Sequence, residues 1–242
     1  MKSEFLSNRE LRIFKHQIDL PSFGIQGQEK IKNSKILVVG AGGKGSFALQ
    51  NLAVAGIGSI GICDNHIVEE TTLPRQTLYG NGDLGKQKAI IAKEKLIENN
   101  PLTNVTIHNI YLSEINSIAI ISNYDIIVDA TDNFTSHQTI DKAAQQLKKP
   151  VVFGAVNNAM IIVSVFNYLE GHSLHQLFPS DPQYQANTIL RDWLPGEVIL
   201  YNLAGSLLAN EVLKIVLGVT GILDGKVLKF DVTTYQLSID VL

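Results

Sequence analysis

The sequence predicts an α/β fold: a Rossmann-like, doubly wound and mostly parallel sheet with an antiparallel C-terminal extension. Apolar strand-like segments alternate with helical segments over residues 34–156, which is typical of repeated βαβ units. Near the C-terminus, the apolar segments 226–231 and 236–241 follow one another with no helix between them. Strands joined in this way pair antiparallel, so we expect the end of the chain to extend the sheet.

The first βαβ unit can be located along the chain. Residues 4–19 and 27–33 are polar and periodic, which predicts short helices in an arm outside the core. The segment 35–39 is apolar and runs directly into glycine, which predicts a buried parallel strand. A helix over 46–55 and a second strand over 59–63 complete the unit.

The rest of the chain continues the alternation. Residues 65–84 contain Pro74 and several glycines, and we interpret them as an active-site loop. A polar segment at about 168–193 is predicted to be a crossover loop. The remaining predictions are helices over 86–99, 135–148 and about 197–217, and strands over 105–112, 124–128, 151–153 and 160–166.

No composition shift, repeat or linker divides the chain, so we expect one domain over residues 1–242. Within it we distinguish an N-terminal arm (1–33), a βαβ core (34–156) and the antiparallel extension (157–242) that contains the crossover loop.

Composition argues against several classes of protein. The chain has 242 residues, of which 45% are hydrophobic and 18% charged, as expected of a globular protein. Its formal net charge of −3 provides no basic footprint for nucleic acid or for an anionic membrane surface. The N-terminus lacks an apolar signal core, and no apolar run reaches the roughly twenty residues of a membrane span. We therefore expect a soluble cytoplasmic protein.

Cysteine and histidine usage argues against a zinc site. Cys63 is the one cysteine of the sequence, so neither a disulfide framework nor a cysteine-ligated zinc site can form. His172 and His175 lie in the predicted crossover loop, but no further ligands stand at the usual spacing. We expect no zinc.

A glycine-rich turn follows the first predicted strand. Gly40-Ala-Gly-Gly-Lys-Gly45 matches G-x-G-x-x-G between a strand and a helix. The glycines permit a tight turn and a close approach of the backbone to a phosphate, which the helix N-terminus binds through free N–H groups. A plain β–α turn is the alternative reading. Lys44 could contact the phosphate or face solvent.

An acidic residue, Asp64, follows the second predicted strand, 19 residues after Gly45. A carboxylate at this place normally accepts hydrogen bonds from a ribose. The arrangement fits NAD and ATP equally, and Asp64 could instead cap a helix or a loop. The glycine turn and Asp64 thus predict a nucleotide site without choosing the nucleotide.

Three charged residues favour ATP over NAD. Arg75 stands in the loop after the second strand, Lys88 in the first turn of the next helix, and Asp132 just beyond the strand predicted over 124–128. All three are expected at the sheet edge where α/β folds bind ligands. Adenylyl transfer to a carboxylate concentrates negative charge on the phosphates, so it needs fixed cations and usually Mg²⁺. Each residue alone could also be solvated or structural.

Several stretches together resemble the ThiF/MoeB/HesA family of ubiquitin-activating-enzyme-like adenylyltransferases. The resemblance spans about residues 8–240 and is carried by FKHQIDLPSFGIQG, GAGGKGS, ICDNHIVEETTLPRQTLYG, GKQKA, DATDNF and NLAGSLLANEVLKIVLG. A dehydrogenase is not expected to combine the spacing of Asp64, Arg75 and Lys88 with the DATDN sequence.

The resemblance implies a role for each matched residue. Arg75 contacts the phosphates and helps to expel pyrophosphate, Lys88 stabilises the transferred α-phosphate, and Asp132 coordinates Mg²⁺. These three are the implied catalytic residues. The implied nucleotide-binding set is Gly40, Gly42, Gly43, Gly45, Asp64, Thr72, Arg75, Gln76, Lys88, Asp132 and Asn133.

The resemblance also implies a function. An enzyme of this kind uses Mg²⁺ and ATP to adenylate the C-terminal carboxylate of a small ubiquitin-like sulfur-carrier protein that ends in Gly-Gly, and it releases pyrophosphate. It further implies a homodimer in which the N-terminal arm reaches the ATP site of the partner.

Three features depart from the family pattern. The arm holds His16 where an arginine is usual, and a histidine is a weaker, pH-dependent phosphate partner that Lys15 or Arg12 could replace. Thr72 and Pro74 stand in a loop that usually reads asparagine–leucine–x–arginine, which removes an amide and adds a rigid residue. The sequence lacks both the paired CxxC motifs and the catalytic cysteine of some members, so we expect no covalent cysteine intermediate.

Alternatives remain open from the sequence. The same chemistry could act on a peptide carboxylate or on a tRNA-base carboxylate, although the lack of a basic patch argues against tRNA. The chain could also be a non-catalytic ATP-binding partner subunit or an NAD-dependent oxidoreductase.

Overall fold

A computed structural model describes residues 5–157, 159–169, 171–177 and 197–241. Most of the crossover loop that the sequence predicts at 168–193 lies outside the described residues.

One sheet runs through the described residues. Its strands are β1 (Lys35–Val39), β2 (Ser59–Cys63), β3 (Asn104–His108), β4 (Ile126–Asp129), β5 (Val151–Asn157), β6 (Met160–Phe166), β7 (Lys226–Asp231) and β8 (Gln236–Val241). The order across the sheet is β3-β2-β1-β4-β5-β6-β7-β8. Neighbours from β3 to β5 pair in parallel, and neighbours from β5 to β8 pair antiparallel. The predicted fold class is therefore confirmed.

Helices cover both faces of this sheet. They are α1 (Asn8–Ile13), α2 (Lys15–Ile18), α3 (Gly24–Asn33), α4 (Gly43–Ala55), α5 (Lys88–Asn99), α6 (Ser117–Ile121), α7 (Phe134–Leu147), α8 (Leu174–Leu177) and α9 (Glu197–Leu217). One face packs against α3, α4, α5 and α9, and the other packs against α6 and α7. Short 3₁₀ turns at Glu70–Thr72 and Asn81–Asp83 shape the loop between β2 and α5.

Alternating side chains of β1 explain the two helical layers. Ile36 and Val38 belong to the core on one face, whereas Leu37 and Val39 belong to the core on the other. All four are at most 4% exposed. Successive side chains of a strand point to opposite faces, so a strand that is apolar at nearly every position must be covered on both sides.

The direction of chain progression across the sheet reverses next to β1. The chain first adds β2 and β3 on one side of β1 and then places β4 on the other side. The loops that leave β1 and β4 therefore diverge and open a crevice between them. Gly40, Asp64 and Ala130 directly follow β1, β2 and β4, so the predicted site residues share this edge.

Three local predictions need correction. The strand predicted over 105–112 ends at His108, because the apolar residues that follow it turn into a loop at the sheet edge. The sequence pattern does not predict the short helix α6. The N-terminal arm is not wholly outside the core, since Leu6 and Phe14 are 6% and 3% exposed.

The long helix α9 packs as a core helix. It lies against α4, β5 and β6. Gly205 allows a close approach to α4, because a Cβ at this position would stand 2.4 Å from the carbonyl oxygen of Lys44. Judged only by length and composition, α9 is also the one helix of the described residues that could cross a membrane, a test that core helices of soluble proteins pass as well. The absence of a membrane span stays a prediction.

Candidate active site

A cavity of about 380 Å³ opens at the carboxyl ends of β1, β2 and β4. Its volume lies in the range of small-molecule sites. Gly43 and Gly45 are not part of its lining, but the other predicted nucleotide-binding residues are: Gly40, Gly42, Asp64, Thr72, Arg75, Gln76, Lys88, Asp132 and Asn133. The fold thus brings residues from three loops and from the first turn of α5 to one site.

The glycine turn has glycine at two places where the backbone requires it. Gly40 has a φ of +91°, a left-handed conformation, and a Cβ there would stand 2.9 Å from the carbonyl oxygen of Ala130. At Gly45 a Cβ would lie 1.8 Å from the carbonyl oxygen of Gly40. Gly42 has more room, since the nearest atom to its Cβ would be the Gln76 amide nitrogen at 3.8 Å. The turn leads into the N-terminus of α4, which favours an anion.

Gly43 packs against the protein instead of lining the cavity. A Cβ at this position would stand 2.6 Å from the ring of Tyr201 on α9. Burial raises the pKa of the Tyr201 hydroxyl, and the charge of Asp132 raises it further. The ring therefore covers the glycine turn on the side of α9.

The carboxylate of Asp64 is buried and held by backbone groups. Its Oδ2 accepts a hydrogen bond from the N–H of Ala41 at 2.7 Å, and its Oδ1 accepts one from the N–H of His66 at 2.8 Å. Tyr79 donates its hydroxyl to the carbonyl oxygen of Ala41 at 2.7 Å. Each carboxylate oxygen can accept more than one hydrogen bond, so Asp64 retains capacity for a ribose hydroxyl.

Gln76 and Thr72 form part of the loop wall of the cavity. Gln76 is 4% exposed, and its Oε1 atom has no hydrogen-bond partner among the described residues. A buried polar atom without a partner is costly, so this amide fits a site that a ligand completes. The Thr72 hydroxyl instead donates to the carbonyl oxygen of Glu69 at 2.6 Å, so it stabilises the loop.

Lys88 is a buried cation in the first turn of α5. It is 7% exposed. Burial lowers the pKa of its ammonium, and the charges of Asp64 and Glu69 oppose this effect. In the part of the chain that the structure describes, no carboxylate forms an ion pair with Lys88. A desolvated cation that lines a cavity without a partner is suited to bind an anion.

Arg75 pairs with the start of α9. Its Nη1 lies 3.1 Å from Oε2 of Glu197. The two side chains are 37% and 52% exposed, so solvent screens this ion pair and it contributes little stability. A phosphate is a strong partner for a guanidinium, so Arg75 can exchange Glu197 for an anion in the cavity.

The carboxylate of Asp132 forms an ion pair with Lys44. Lys44 donates to Oδ1 of Asp132 at 2.7 Å and to the carbonyl oxygen of Thr131 at 2.9 Å. Lys44 is 2% exposed, so the alternative that it faces solvent is wrong. The Asp132 side chain is 70% exposed and lines the cavity.

A buried aspartate–histidine pair supports the turn after β4. Nδ1 of His137 lies 2.7 Å from Oδ2 of Asp129, and Thr131 donates its hydroxyl to Oδ1 of Asp129 at 2.7 Å. Burial alone would raise the pKa of Asp129, but the charge and the hydrogen bond of His137 outweigh burial and lower it. Asn133 then caps α7, because its Oδ1 accepts the N–H of Ser136 at 2.9 Å. The turn is therefore fixed at both ends.

The cavity also has an apolar wall that the sequence pattern does not predict. Ile110, Tyr111 and Leu112 line it from the loop after β3. The Tyr111 hydroxyl lies 3.1 Å from that of Ser136, which joins this wall to α7. These residues follow the carboxyl end of a parallel strand, where α/β folds bind ligands. That position could have identified them, but their apolar alternation imitates a continuing strand.

Cys63 lines the same cavity as a buried thiol. It is 2% exposed, and its Sγ lies 3.5 Å from the carbonyl oxygen of Ile110. Burial, together with the charge of Asp64, raises the pKa of the thiol to about 12. Such a thiol stays protonated at neutral pH and is a poor nucleophile.

Metal ligands are sparse. No group of three or more metal-binding side chains occurs among the described residues. Mg²⁺ in nucleotide enzymes is usually held by one or two carboxylates together with substrate phosphates. Asp132 fits this minimal role with one carboxylate, one oxygen of which already accepts from Lys44.

The remaining candidates lie apart from this cavity in the described chain. Arg12, Lys15 and His16 of the arm are not part of its lining, and Lys15 pairs with Asp19 at 2.6 Å. His172 and His175 are not part of it either.

Sequence comparison finds relatives over nearly the whole chain. The pattern of the ThiF family matches residues 14–240. A probable molybdopterin-synthase adenylyltransferase of Porphyra purpurea is 43% identical over 229 residues, which are 92% of this chain and 58% of the relative. The sulfur carrier protein adenylyltransferase of Thermus thermophilus is 36% identical over 240 residues, which cover 93% of this chain and 84% of the relative. The chain thus spans less than two thirds of the length of the Porphyra protein.

Solved structures share the fold. The crystal structure of PaaA superposes with a TM-score of 0.82 at 21% identity, over 100% of this chain and 76% of that one. A crystal structure of E. coli MccB with ATP gives a TM-score of 0.80 at 23% identity, over 100% of this chain and 73% of that one. At these identities the likeness concerns the fold alone.

Proposed function

The chain belongs to the ThiF family, and on this basis we propose that it is an ATP-dependent adenylyltransferase. The proposed substrate is the C-terminal carboxylate of a small ubiquitin-like sulfur-carrier protein that ends in Gly-Gly. The products are an acyl-adenylate and pyrophosphate. The Thermus relative supports this proposal, because its name describes this activity and the match covers 84% of its length.

The observation that carries the proposal is the composition of the single cavity at the sheet edge. It joins a glycine turn, a buried carboxylate and two cations, Arg75 and Lys88. A plain β–α turn needs neither the buried carboxylate nor the two cations, and a dinucleotide site for hydride transfer does not need the two cations. A site that stabilises negative charge on phosphates needs such cations.

The cavity has a suitable place for each part of ATP. The apolar wall at 110–112 suits the flat base, and Asp64 can accept hydrogen bonds from the ribose. The glycine turn and the N-terminus of α4 suit the phosphates. The Oε1 atom of Gln76, which has no hydrogen-bond partner among the described residues, can provide a further polar contact.

The two cations have different tasks in the proposed reaction. A carboxylate oxygen of the carrier attacks the α-phosphorus, the bond to the bridging oxygen breaks, and pyrophosphate leaves. Lys88, desolvated and without an ion-pair partner among the described residues, stabilises the charge that grows on the α-phosphate. Arg75 neutralises the departing pyrophosphate once it has released Glu197.

Mg²⁺ belongs to the proposal as the ion that accompanies ATP. Asp132 is the residue that would hold it, together with the phosphates of the nucleotide. The ion would supply additional positive charge against the phosphates.

We also propose that no covalent cysteine intermediate forms. Cys63 is the one cysteine of the sequence, and its pKa is raised to about 12. Sulfur transfer to an activated carrier would then need a sulfur donor from outside these 242 residues.

A cytoplasmic homodimer completes the proposal. The arm residues Arg12, Lys15 and His16 lie outside the cavity lining of their own chain, which is consistent with an arm that reaches the nucleotide site of a partner. Light scattering coupled to size exclusion tests the dimer, and a monomer at working concentrations contradicts it.

ATP–pyrophosphate exchange tests the function. The protein is incubated with ATP, labelled pyrophosphate and candidate carriers that end in Gly-Gly, with the same carriers lacking the final glycine as controls. We expect label to enter ATP only with an intact carrier. A protein that binds ATP but shows no exchange with any carrier would contradict the proposed substrate and favour a non-catalytic partner subunit.

A further inference from the structure

Lys44 places a buried positive charge beside the proposed metal position. It stands in the first turn of α4, between two glycines, and is 2% exposed. Its ammonium lies 2.7 Å from Oδ1 of Asp132, whose side chain is 70% exposed. One partner is thus desolvated, while the other borders the cavity.

The position of the Lys44 ammonium is fixed by its two acceptors and by the packing around its backbone. An ammonium buried without acceptors is very costly, and both of its acceptors come from the turn after β4. The backbone around Lys44 is also confined, because Gly205 of α9 packs directly against its carbonyl oxygen. The pairing with Asp132 is therefore a fixed part of the site.

We propose that Lys44 is a positioning residue that sets the metal affinity of Asp132. The ammonium occupies one carboxylate oxygen and offsets the negative charge that a divalent cation would seek. The free protein then binds a divalent cation weakly, and the metal enters mainly as the complex with the nucleotide.

The Lys44 ammonium weakens metal binding at Asp132 both through its charge and by occupying a carboxylate oxygen. A divalent cation on Asp132 must lie close to the ammonium, and like charges repel strongly at such distances when one of them is buried. The ammonium also orients the carboxylate by fixing Oδ1. Lys44 thereby connects the glycine turn with the turn that carries Asp132, so the phosphate and metal positions are built as one unit.

This inference rests on the proposed function, in which Asp132 is the metal-binding carboxylate. Its test uses Mn²⁺ alone as the probe, followed by electron paramagnetic resonance of the free ion. Lys44→Met keeps an unbranched chain of similar length and removes the charge, whereas Lys44→Arg keeps the charge. Lys142→Met is the matched control, because Lys142 pairs with Glu114 at 3.0 Å on the surface.

We expect Lys44→Met to bind Mn²⁺ about tenfold more tightly than the wild type, the low end of the effect of outer-shell changes on metal affinity. Lys44→Arg and Lys142→Met should leave the affinity unchanged. Adding Asp132→Asn to Lys44→Met should abolish the gain. The proposal is overturned if Lys44→Met binds Mn²⁺ no more tightly than the wild type, if Lys44→Arg gains as much, or if the gain survives Asp132→Asn.

Circular dichroism and thermal melting show whether each variant folds, and Lys44→Gln replaces Lys44→Met if the latter does not. The titrations contain no nucleotide and no carrier. If the protein shows no exchange activity, the measured Mn²⁺ affinities remain valid. If the protein is active but Lys44→Met does not bind Mn²⁺ more tightly, only the role of Lys44 is overturned.

Discussion

The two sides of the cavity are built differently. On the nucleoside side, Asp64 and Gln76 are 8% and 4% exposed, and backbone N–H groups hold the Asp64 carboxylate. On the phosphate side, the side chains of Arg75 and Asp132 are 37% and 70% exposed, and each is paired with another side chain. The first side is fixed by the fold. The second side consists of exposed charges: an incoming anion can replace Glu197 at Arg75, whereas Lys44 stays paired with Asp132.

Lys88 is buried like the residues of the first side and is a cation like Arg75 of the second. Its replacement should therefore have the largest effect on activity. We expect Lys88→Met to lower the rate of ATP–pyrophosphate exchange about 1,000-fold, the upper range for removing one group that stabilises developing charge. Lys95→Met on the same helix is the control, because Lys95 forms only an exposed pair with Glu98. Equal rates for the two variants would show that Lys88 does not act on the phosphates.

Arg75→Ala tests whether the phosphate side acts only in catalysis. We expect exchange to fall about 100-fold. The free energy of unfolding should change by less than about 1 kcal/mol, because the pair with Glu197 is exposed. Steady-state exchange and urea denaturation measure the two effects. Full activity in this variant would remove Arg75 from the site.

Asp129→Asn tests the support beneath the phosphate side. Because Asp129 is 1% exposed and pairs with His137, we expect a loss of about 3 kcal/mol in the free energy of unfolding at neutral pH. The folded pKa of Asp129 is lowered, so its stabilisation is present above the unfolded pKa and is lost as the pH falls through the folded pKa. Urea denaturation should show that the free energies of unfolding of the wild type and Asp129→Asn become equal as the pH falls. A difference that grows in acid would contradict this account.

Much of the site could be predicted from the sequence because its backbone chemistry is local. The glycine turn needs small residues at Gly40 and Gly45 whatever surrounds it, and Asp64 directly follows a strand. Parallel strands bring these positions to one edge in any fold of this class. The glycine turn and the carboxylate that follows β2 can therefore be predicted from the sequence.

The ion pairs of the charged side chains cannot be predicted in the same way, because each joins residues that are far apart in the sequence. Glu197 meets Arg75 from 122 positions along the chain, and Lys44 meets Asp132 from 88 positions away. A sequence shows the charges but not which of them fold together. The strand-like pattern at 105–112 likewise hid the apolar wall, since alternation does not distinguish a strand from a loop whose apolar residues line a cavity.

Glu197→Gln should have a smaller effect, on the affinity for ATP. It tests whether Arg75 must leave Glu197 before it can bind phosphate. Removing the carboxylate frees the guanidinium for phosphate, so we expect the Kd for ATP to fall about threefold, consistent with the small free energy of an exposed ion pair. Calorimetry measures this change, and Lys95→Met again serves as the control. A weaker affinity for ATP would mean that Glu197 contributes directly to the nucleotide site.

Cys63→Ala should have the smallest effect on activity. The thiol is buried and protonated, so exchange should stay within about twofold of the wild-type rate. A loss of exchange in a variant that melts like the wild type would restore a chemical role for Cys63.

The intact mass of a carrier protein tests the central claim most directly. A Gly-Gly carrier is incubated with ATP, Mg²⁺ and either the wild type or Lys88→Met, then quenched and examined by mass spectrometry. We predict that the wild type adds one adenylyl group to the carrier C-terminus and that Lys88→Met adds almost none. A carrier that remains unmodified while the wild type binds ATP, or ATP that is converted to ADP and phosphate, would contradict the account.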